Sequence, residues 1–253
     1  MNIKVATTNG VATIEIARPE KKNALTLAMY DAMTDALKAA AADKAVRAVL
    51  ITGQPGVFTA GNDLQDFMQR PVSNDEPPQV HFMQAFLACE KPIVAAVTGT
   101  AVGIGVTMLL HCDLVYVSED ARLSMPFVGL GLVPEFAASL LVPHLMGHPR
   151  AAEKLMLGDP FTAAEAVTLG IANAALPAGE VLAHAQRIAE RFNDLPPGAV
   201  RDTKRLLRAE LKERVDQAIR VELALYKERL PSPEAKEAFT AFFQKRKPDF
   251  RNL

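Results

Sequence analysis

The sequence has no excess of charge of either sign, because 28 basic residues face 29 acidic ones in a chain of 253 residues. A nucleic-acid-binding protein concentrates basic residues to neutralise phosphates, so the composition argues against that class of partner. It still permits a local basic patch for one anionic ligand. The chain is also poor in cysteine: Cys89 and Cys112 lie in apolar stretches and form no CxxC pair. We interpret them as two buried thiols in a reducing compartment, in preference to a disulfide or a metal site.

The sequence also lacks the apolar segments that secreted and membrane proteins carry. Its N-terminus leads directly into a strand pattern without the apolar block of a signal peptide. The uncharged run at residues 92–112 is interrupted by proline and glycine, which favours a buried strand, loop and helix over a membrane span. The C-terminal Arg251-Asn252-Leu253 is only a distant likeness of a peroxisomal address. We therefore expect a cytoplasmic protein with no membrane partner.

Motifs for common cofactors and metals are missing as well. Gly103-x-Gly105 lacks the third glycine and the later acidic residue of a dinucleotide site, and the sequence contains neither GxxxxGK[ST] nor a Gly-x-Ser-x-Gly elbow. His144 and His148 are four residues apart, but glycine and proline break the helix that would align them on a metal. No metal and no separate cofactor are predicted.

Short apolar segments alternate with helical patterns through the first half of the chain. Such segments are typical of parallel strands covered on both faces, and the alternation indicates an α/β architecture with crossover connections. Strand signals nearly vanish after Pro149, and helical patterns continue to about residue 247. The composition of residues 73–78 is typical of a mobile loop. The predicted strands are a hairpin around Asn9-Gly10, Ala48–Thr52, Ile93–Val97 and Leu114–Ser118, and the predicted helices follow Thr26 or lie at about 79–89 and 105–111.

Two glycine-containing loops follow predicted strands, one at residues 58–64 and the other at residues 99–106. Loops after parallel strands gather at one edge of a sheet, where ligands usually bind. One backbone N–H group from each loop could stabilise a developing negative charge, since the second loop opens a helix. The alternative is that these glycines only permit tight turns and close packing.

Three segments carry longer motifs in a fixed order. Residues 18–25 fit R-P-x-x-x-N-A-L, residues 58–64 fit F-x-A-G-x-D-[LI], and residues 91–99 fit K-P-[VI]-[IV]-A-A-[VI]-x-G. Together they resemble the crotonase (enoyl-CoA hydratase/isomerase) family. The similarity runs in order from the first hairpin to about residue 248 and so covers nearly the whole chain. Several motifs at family spacing are specific, whereas any one of them alone is weak.

This resemblance implies an α/β spiral of repeated ββα units over residues 1–190. It also implies a C-terminal helical region over residues 191–253 that assembles trimers or pairs of trimers. The substrate is expected to be an acyl-CoA, whose thioester oxygen would be held by the N–H groups of Ala60 and Ile104. Arg18, Lys21 or Lys22 are candidates for the CoA phosphates, with a solvated charge cluster as the alternative. The substrate path is expected to be lined by Asn23, Ala24, Leu25, Ala60, Gly61, Asn62, Asp63 and Leu64. Among these, Asp63 is expected to fix its own loop by accepting backbone hydrogen bonds.

Three positions bear on the reaction type. Hydratases that the chain resembles hold and activate water with two glutamates, and the matching positions here are Thr107 and Phe127, neither of which is a carboxylate. Glu135, after Pro134, matches the single catalytic glutamate of Δ3,Δ2-enoyl-CoA isomerases of peroxisomal type and their bacterial relatives. In an unknown fold it would be interpreted as a helix-start glutamate favoured by the helix dipole.

The resemblance thus implies an isomerase that moves the double bond of a 3-enoyl-CoA into conjugation. Glu135 would take a proton from C2 and return it at C4, and an apolar pocket with Phe127 and Phe136, beside Thr107, would raise the pKa of its carboxyl group. Three alternatives stay open. They are an isomerase of ring-containing or otherwise unusual acyl-CoAs, a non-catalytic acyl-CoA-binding protein, and residual hydratase activity.

Overall fold

The computed structural model describes residues 2–68, 76–251 and 253, so the first half of the loop expected at 73–78 lies outside the described residues. The strands within them are β1 (Ile3–Thr8), β2 (Val11–Ile16), β3 (Ala48–Thr52), β4 (Val57–Thr59), β5 (Ile93–Val97), β6 (Thr100–Val102), β7 (Leu114–Ser118), β8 (Arg122–Ser124), β9 (Phe161–Thr162) and β10 (Ala174–Leu176). The α-helices are α1 (Leu27–Ala42), α2 (Leu64–Met68), α3 (Pro78–Ala88), α4 (Ile104–Thr107), α5 (Ala138–Met146), α6 (His148–Ala152), α7 (Ala163–Thr168), α8 (Val181–Glu190), α9 (Pro197–Ala209), α10 (Lys212–Arg229) and α11 (Pro233–Phe243). A 3₁₀ segment, Met108–His111, extends α4.

The strands form two sheets. The larger sheet has the order β1-β2-β3-β5-β7-β10, and the smaller sheet has the order β4-β6-β8-β9. Among the pairs of strands in the described residues, only β1–β2 and β8–β9 are antiparallel. After the first hairpin, three successive pairs of strands (β3 and β4, β5 and β6, β7 and β8) each place one strand in the larger sheet and the next in the smaller one before a helix follows. The expected spiral of ββα units is therefore confirmed.

The central strands of the larger sheet are covered on both faces, which explains their continuous apolar sequence. Side chains alternate along a strand, so Leu50 and Val94 face the apolar side of α8, where they meet Ala185. Ile51 and Ala95 face the opposite side and enter the main core. The sheet thus provides a rigid base on which the loops after the smaller strands are mounted.

Helix α1 forms as the sequence predicts. Thr26 caps it by accepting a hydrogen bond from the Met29 N–H at 3.3 Å. Met33 and Leu37 recur at helical spacing and are 1% exposed, because this face of α1 packs in the main core. Tyr30 lies on the same buried face. Its phenol reaches the loop after β4, so α1 contributes to the candidate site as well as to the core.

The sequence pattern missed the short strands. Strand β6 lies within the loop expected at 99–106, and β4 ends inside the loop expected at 58–64. Strands of three residues are too short to show the alternation that identifies longer ones. After Pro149, where strand signals nearly vanish, the described residues still form two short strands, β9 and β10, which extend one sheet each.

The C-terminal helices dock on the spiral through charged contacts as well as apolar ones. Lys204 of α9 donates to a carboxylate oxygen of Asp113 at 2.7 Å and to the Lys91 carbonyl at 2.6 Å. Leu206 and Leu207 of the same helix remain 72% and 80% exposed in the single chain. Assembly into trimers and a boundary near residue 190 stay predictions. Among the described residues no helix is both long enough and apolar enough to cross a bilayer.

Candidate active site

Three consecutive loops meet at one edge of the smaller sheet because β4, β6 and β8 are parallel neighbours. The first two loops are in close contact. A Cβ atom on Gly61 would lie 2.9 Å from the carbonyl oxygen of Val102, and one on Gly105 would lie 2.5 Å from Cγ2 of Thr59. Glycine at both positions therefore lets the loops approach. Gly61 also has φ +87°, a conformation that glycine adopts readily.

The N–H of Ala60 is not available to a ligand, because it donates to the Lys22 carbonyl at 3.0 Å. Ala60 as a donor to the substrate oxygen was therefore a wrong prediction. Asn62, two residues after Ala60, pairs with Leu25 in a parallel bridge. The Leu25 N–H donates to the Gly61 carbonyl at 2.8 Å, and the Leu25 carbonyl accepts from the Asp63 N–H at 2.9 Å. Neighbouring peptide groups alternate in direction, so the Asn62 N–H points to the opposite side. It has no acceptor among the residues described.

Ile104 supplies the corresponding group from the second loop. It is the first residue of α4, and the first N–H groups of a helix have no acceptor within the helix. Gly103, with φ +57°, turns the chain so that its carbonyl accepts from Val106 and Thr107 at 2.8 and 3.0 Å. Within residues 2–68 and 76–251 the Ile104 N–H makes no hydrogen bond. The two contacting loops thus present two unused N–H groups.

Glu135 lies in the third segment, between β8 and α5, and is 7% exposed. Its Oε1 has no hydrogen-bond partner in the described part of the chain. Burial raises the pKa of this carboxyl to about 8, the negative charge of Glu222 adds to the increase, and a hydrogen bond from Asn62 opposes it. The Tyr30 hydroxyl donates to Asn62 Oδ1 at 2.5 Å, which leaves the Asn62 amide N–H groups as the donors toward Glu135.

An aromatic cluster includes Phe136, the residue that follows Glu135. Phe82 lies 5.5 Å from the ring of Tyr30, and Phe86 lies 5.9 Å from the ring of Phe136 in an edge-to-face arrangement. Tyr226 of α10 completes the group. The pKa values of Tyr30 and Tyr226 are raised far above the usual range, first by burial and then by the charge of Glu135. Both phenols therefore remain neutral near the carboxylate.

The turn after Glu135 has an unusual backbone. Phe136 and Ala137 have φ values of +58° and +57°, a region that residues with a side chain rarely adopt. The ring of His111 stacks on Phe136 at 3.9 Å, and its Nε2–H donates to the Phe136 carbonyl at 2.8 Å. Burial lowers the pKa of His111 to about 4, although that hydrogen bond opposes the change, so the ring is neutral. Phe136 is thus a packed support for Glu135 and is 1% exposed.

Three side chains that were predicted to contact CoA make their contacts within the protein instead. The Asn23 side chain is wholly buried; it accepts from the Arg18 N–H at 2.7 Å and donates to the Val57 and Phe58 carbonyls at 3.1 Å. The Leu25 side chain, 2% exposed, belongs to the core. The guanidinium of Arg18 binds Asp63 at 2.6 Å instead of facing solvent. These side chains hold the loop in place, so the prediction that they contact CoA was wrong.

The remaining predicted residues fall near the loops. Asp63 accepts from the Gln65 and Asp66 N–H groups at 3.1 Å and so caps α2, as expected. Leu64 begins α2. Ala24 is partly exposed, and Lys21 and Lys22 are exposed beside it.

The two positions at which hydratases carry glutamate are buried here. Thr107 is wholly buried on α4, and its Oγ1 has no partner among the described residues. Phe127 is 5% exposed and lies beside Gly103, where an added Cβ atom would be 3.8 Å from its ring. The residues occupying these positions thus bring no carboxylate to the site.

Sequence reasoning missed four residues at the site: Tyr30, His111, Glu222 and Tyr226. Tyr30 lies on a helix face that was predicted to be buried, but nothing in the sequence distinguished it from core. Glu222 and Tyr226 are four residues apart on one face of α10 and could have been noticed as a polar pair at helical spacing. Their distance from Glu135 along the chain gave no further signal.

Comparison with known proteins places this geometry in a family. The family model for enoyl-CoA hydratase/isomerase matches residues 6–252. Enoyl-CoA delta isomerase 2 of Rattus norvegicus is 34% identical over 252 residues, which are 97% of this chain and 64% of that protein. The chain thus spans less than two thirds of this relative. Curated relatives include both isomerases and hydratases.

Solved structures have the same fold. The enoyl-CoA hydratase/isomerase from Pseudoalteromonas atlantica T6c is 41% identical with a TM-score of 0.95, and the match covers 99% of this chain and 100% of that one. Pseudomonas aeruginosa OdaA is 51% identical with a TM-score of 0.93 over 95% and 98% of the two chains. Since the family model and these structures match nearly its whole length, the chain belongs to the enoyl-CoA hydratase/isomerase family.

Proposed function

We propose that the protein is a Δ3,Δ2-enoyl-CoA isomerase in which Glu135 is the single acid/base. One observation carries the proposal: Glu135 is a buried carboxyl group with an unpartnered oxygen and a pKa raised to about 8. The other buried carboxylate among the described residues, Glu222, accepts three hydrogen bonds from the start of α5 and has no oxygen to spare for a substrate. Membership of the family supports an acyl-CoA thioester as the substrate.

The oxyanion hole in this proposal uses the N–H groups of Asn62 and Ile104. Neither has an acceptor among the described residues, and the loops that carry them touch at Gly61 and Gly105. Placed on the thioester oxygen, these donors would stabilise the dienolate that forms when C2 loses a proton. Removal of one such donor typically costs about 10²–10³ in rate.

The raised pKa suits Glu135 for both halves of the reaction. A base acts best when its pKa lies near the working pH, and general acid/base catalysis contributes about 10²–10⁴ in rate. Ionised Glu135 takes the C2 proton of a 3-enoyl-CoA. The resulting neutral carboxyl group, stable in its apolar surroundings, returns the proton at C4 and leaves the conjugated 2-trans product. The donors of Asn62 and the aromatic rings keep the carboxyl group in place between the two steps.

The same surroundings argue against hydration. Adding water across a 2-enoyl-CoA requires a held and activated water molecule, and the residues at the two matching positions are Thr107 and Phe127. Both are buried, and neither can be ionised near neutral pH. We propose that Lys21 and Lys22, which are exposed next to the first loop, are the residues available to CoA phosphates.

The test supplies 3-cis-, 3-trans- and 2-trans-enoyl-CoA of short and medium chain length and identifies the products. Formation of the conjugated product from the 3-enoyl substrates, with no loss of 2-trans-enoyl-CoA to the hydroxyacyl form, supports the isomerase. Hydration without isomerisation contradicts it. Binding of every acyl-CoA without turnover points to ring-containing substrates or to a non-catalytic acyl-CoA-binding role.

A further inference from the structure

Glu222, on a C-terminal helix, reaches the turn that carries Glu135. It lies on α10, is 4% exposed, and accepts a hydrogen bond from the Ala137 N–H at 2.6 Å. Its other oxygen accepts from the Ser139 N–H at 2.9 Å and from the Ser139 hydroxyl at 2.5 Å. One side chain thus ties two backbone positions at the start of α5 to a helix that is 83–85 residues away in sequence.

The contacts of Glu222 suit its ionised form. Burial raises the pKa of its carboxyl group above the ordinary value, and the hydrogen bonds from Ser139 and Ala137 oppose that increase. All three partners donate, so the group that they fit is a carboxylate. A helix N-terminus also favours negative charge at this place. An ionised Glu222 places a negative charge near Glu135 and favours the protonated form of Glu135.

The turn between the two glutamates is strained. Phe136 and Ala137 both have positive φ values, and backbone of this kind persists only where its surroundings over-determine it. His111 holds one side of the turn through the Phe136 carbonyl, and Glu222 holds the other through the Ala137 N–H. Without the second contact the turn could relax, and the Glu135 carboxyl group would change direction.

We propose that Glu222 is a positioning residue of the active site, which clamps the Phe136–Ala137 turn from α10 and so fixes the Glu135 carboxyl group against the two loops. The inference rests on the proposed function and deepens it. It makes the C-terminal helical region a working part of the active site in its own chain. The negative charge of Glu222 also acts on Glu135, since it adds to the increase of the Glu135 pKa.

The groups that face Glu135 come from several packed elements. Tyr30 of α1 and Tyr226 of α10 keep their protons, and His111, after α4, is neutral. Among the described residues Glu222 is therefore the charge that acts on Glu135. This predicts a signature in the pH profile that a purely structural hydrogen bond would not give.

The test compares Glu222→Gln with Ser139→Ala and with Glu228→Gln, an exposed glutamate of the same helix. Since a small misplacement of a catalytic group can cost about 10² in rate, Glu222→Gln should lower kcat by roughly that factor, with little change in KM. The half-maximal pH of kcat/KM should move to lower pH, because the neighbouring charge is gone. Ser139→Ala keeps the charge and should lower kcat less without moving the profile. Glu228→Gln should match wild type.

An unchanged kcat and pH profile in a folded Glu222→Gln protein would overturn the proposal. A fall in kcat with an unmoved profile would overturn its electrostatic part. If wild type does not turn over 3-enoyl-CoA, the Glu135 carboxyl titration can be followed directly by ¹³C NMR, with Glu135→Gln to assign the signal. A titration shifted to lower pH in Glu222→Gln would then sustain the electrostatic coupling of the two glutamates although the isomerase proposal had failed. An unshifted titration would refute that coupling.

Discussion

Replacing Glu135 with glutamine should change how stability depends on pH. The pKa of Glu135 is about 8 in the folded protein, against an ordinary value of 4.5 that applies once the chain unfolds. A folded pKa above the unfolded one means that the native state prefers the protonated form. The stabilisation from burying a neutral carboxyl group is therefore complete below about pH 4.5. It declines as pH rises and is lost above about pH 8.

The magnitude follows from that difference in pKa. At about 1.4 kcal/mol for each pH unit, the native state of wild type should lose about 5 kcal/mol between pH 4.5 and pH 9 relative to a side chain that cannot ionise. This is an upper limit, because water entering the site would relieve part of the cost. Glu135→Gln has nearly the same shape and stays neutral throughout. Its free energy of unfolding should therefore exceed that of wild type by an amount that grows with pH.

The assay is urea unfolding of both proteins from about pH 5 to pH 9 at one protein concentration. Glu222 is present in both and so largely cancels from the comparison. Glu228→Gln, at an exposed site of α10, should follow wild type at every pH. A constant difference between wild type and Glu135→Gln across this range would refute the reasoning, because it would mean that Glu135 ionises as it does in water.

Further predictions concern activity and the loops. The kcat/KM of wild type should rise roughly tenfold per pH unit from about pH 6 to pH 7 and level off near pH 9, because ionised Glu135 is the base; a profile flat over this range would contradict it. Gly61→Ala should lower kcat by about 10²–10³, since the new Cβ atom, 2.9 Å from Val102 O, displaces the loop that carries one donor. Gly56→Ala, with a similar φ of +81° and no atom within 4 Å of its Cβ position, controls for backbone strain and should retain activity. Asn23→Ala should cost about 3 kcal/mol, or roughly 6–12 °C in Tm, because its buried backbone partners lose their hydrogen bonds; an unchanged Tm in calorimetry would contradict that role.

The larger elements of the fold could be predicted because their patterns are long. The strands at 48–52, 93–97 and 114–118 agree with the structure residue for residue, since wholly apolar segments bounded by glycine or polar residues leave little choice. The short strands of the smaller sheet could not be predicted. Val57–Thr59 and Arg122–Ser124 are strands because of their neighbours in the sheet, and three residues carry too little pattern to show it.

The candidate site was predicted in part for a related reason. The family resemblance placed Glu135 and the two loops in one region, and the parallel neighbours β4 and β6 bring the loops together. Which N–H group points outward depends on the register between Leu25 and Asn62, and a sequence motif does not encode that register. The choice of Ala60 over Asn62 was an error of this kind. Asn23 was likewise assigned to the ligand because two of its three internal partners, the Val57 and Phe58 carbonyls, lie in a distant segment and could not be foreseen.

Contacts over long sequence distances were out of reach. Glu222 and Tyr226 approach Glu135 only because α10 folds back onto α5, and nothing local to either segment indicates it. For the same reason the desolvation of Glu135 was a hypothesis until the structure showed its side chain to be buried. Burial of a single glutamate is a property of the assembled fold.

The most direct test of the central proposal is the rate at which wild type and Glu135→Gln convert 3-trans-enoyl-CoA to the 2-trans product, followed by ultraviolet absorbance, with acyl-CoA affinity measured in parallel. Turnover by wild type that falls by at least about 10³ in Glu135→Gln, with unchanged affinity, is the predicted result. Turnover that survives the substitution would contradict the assignment of Glu135 as the single acid/base.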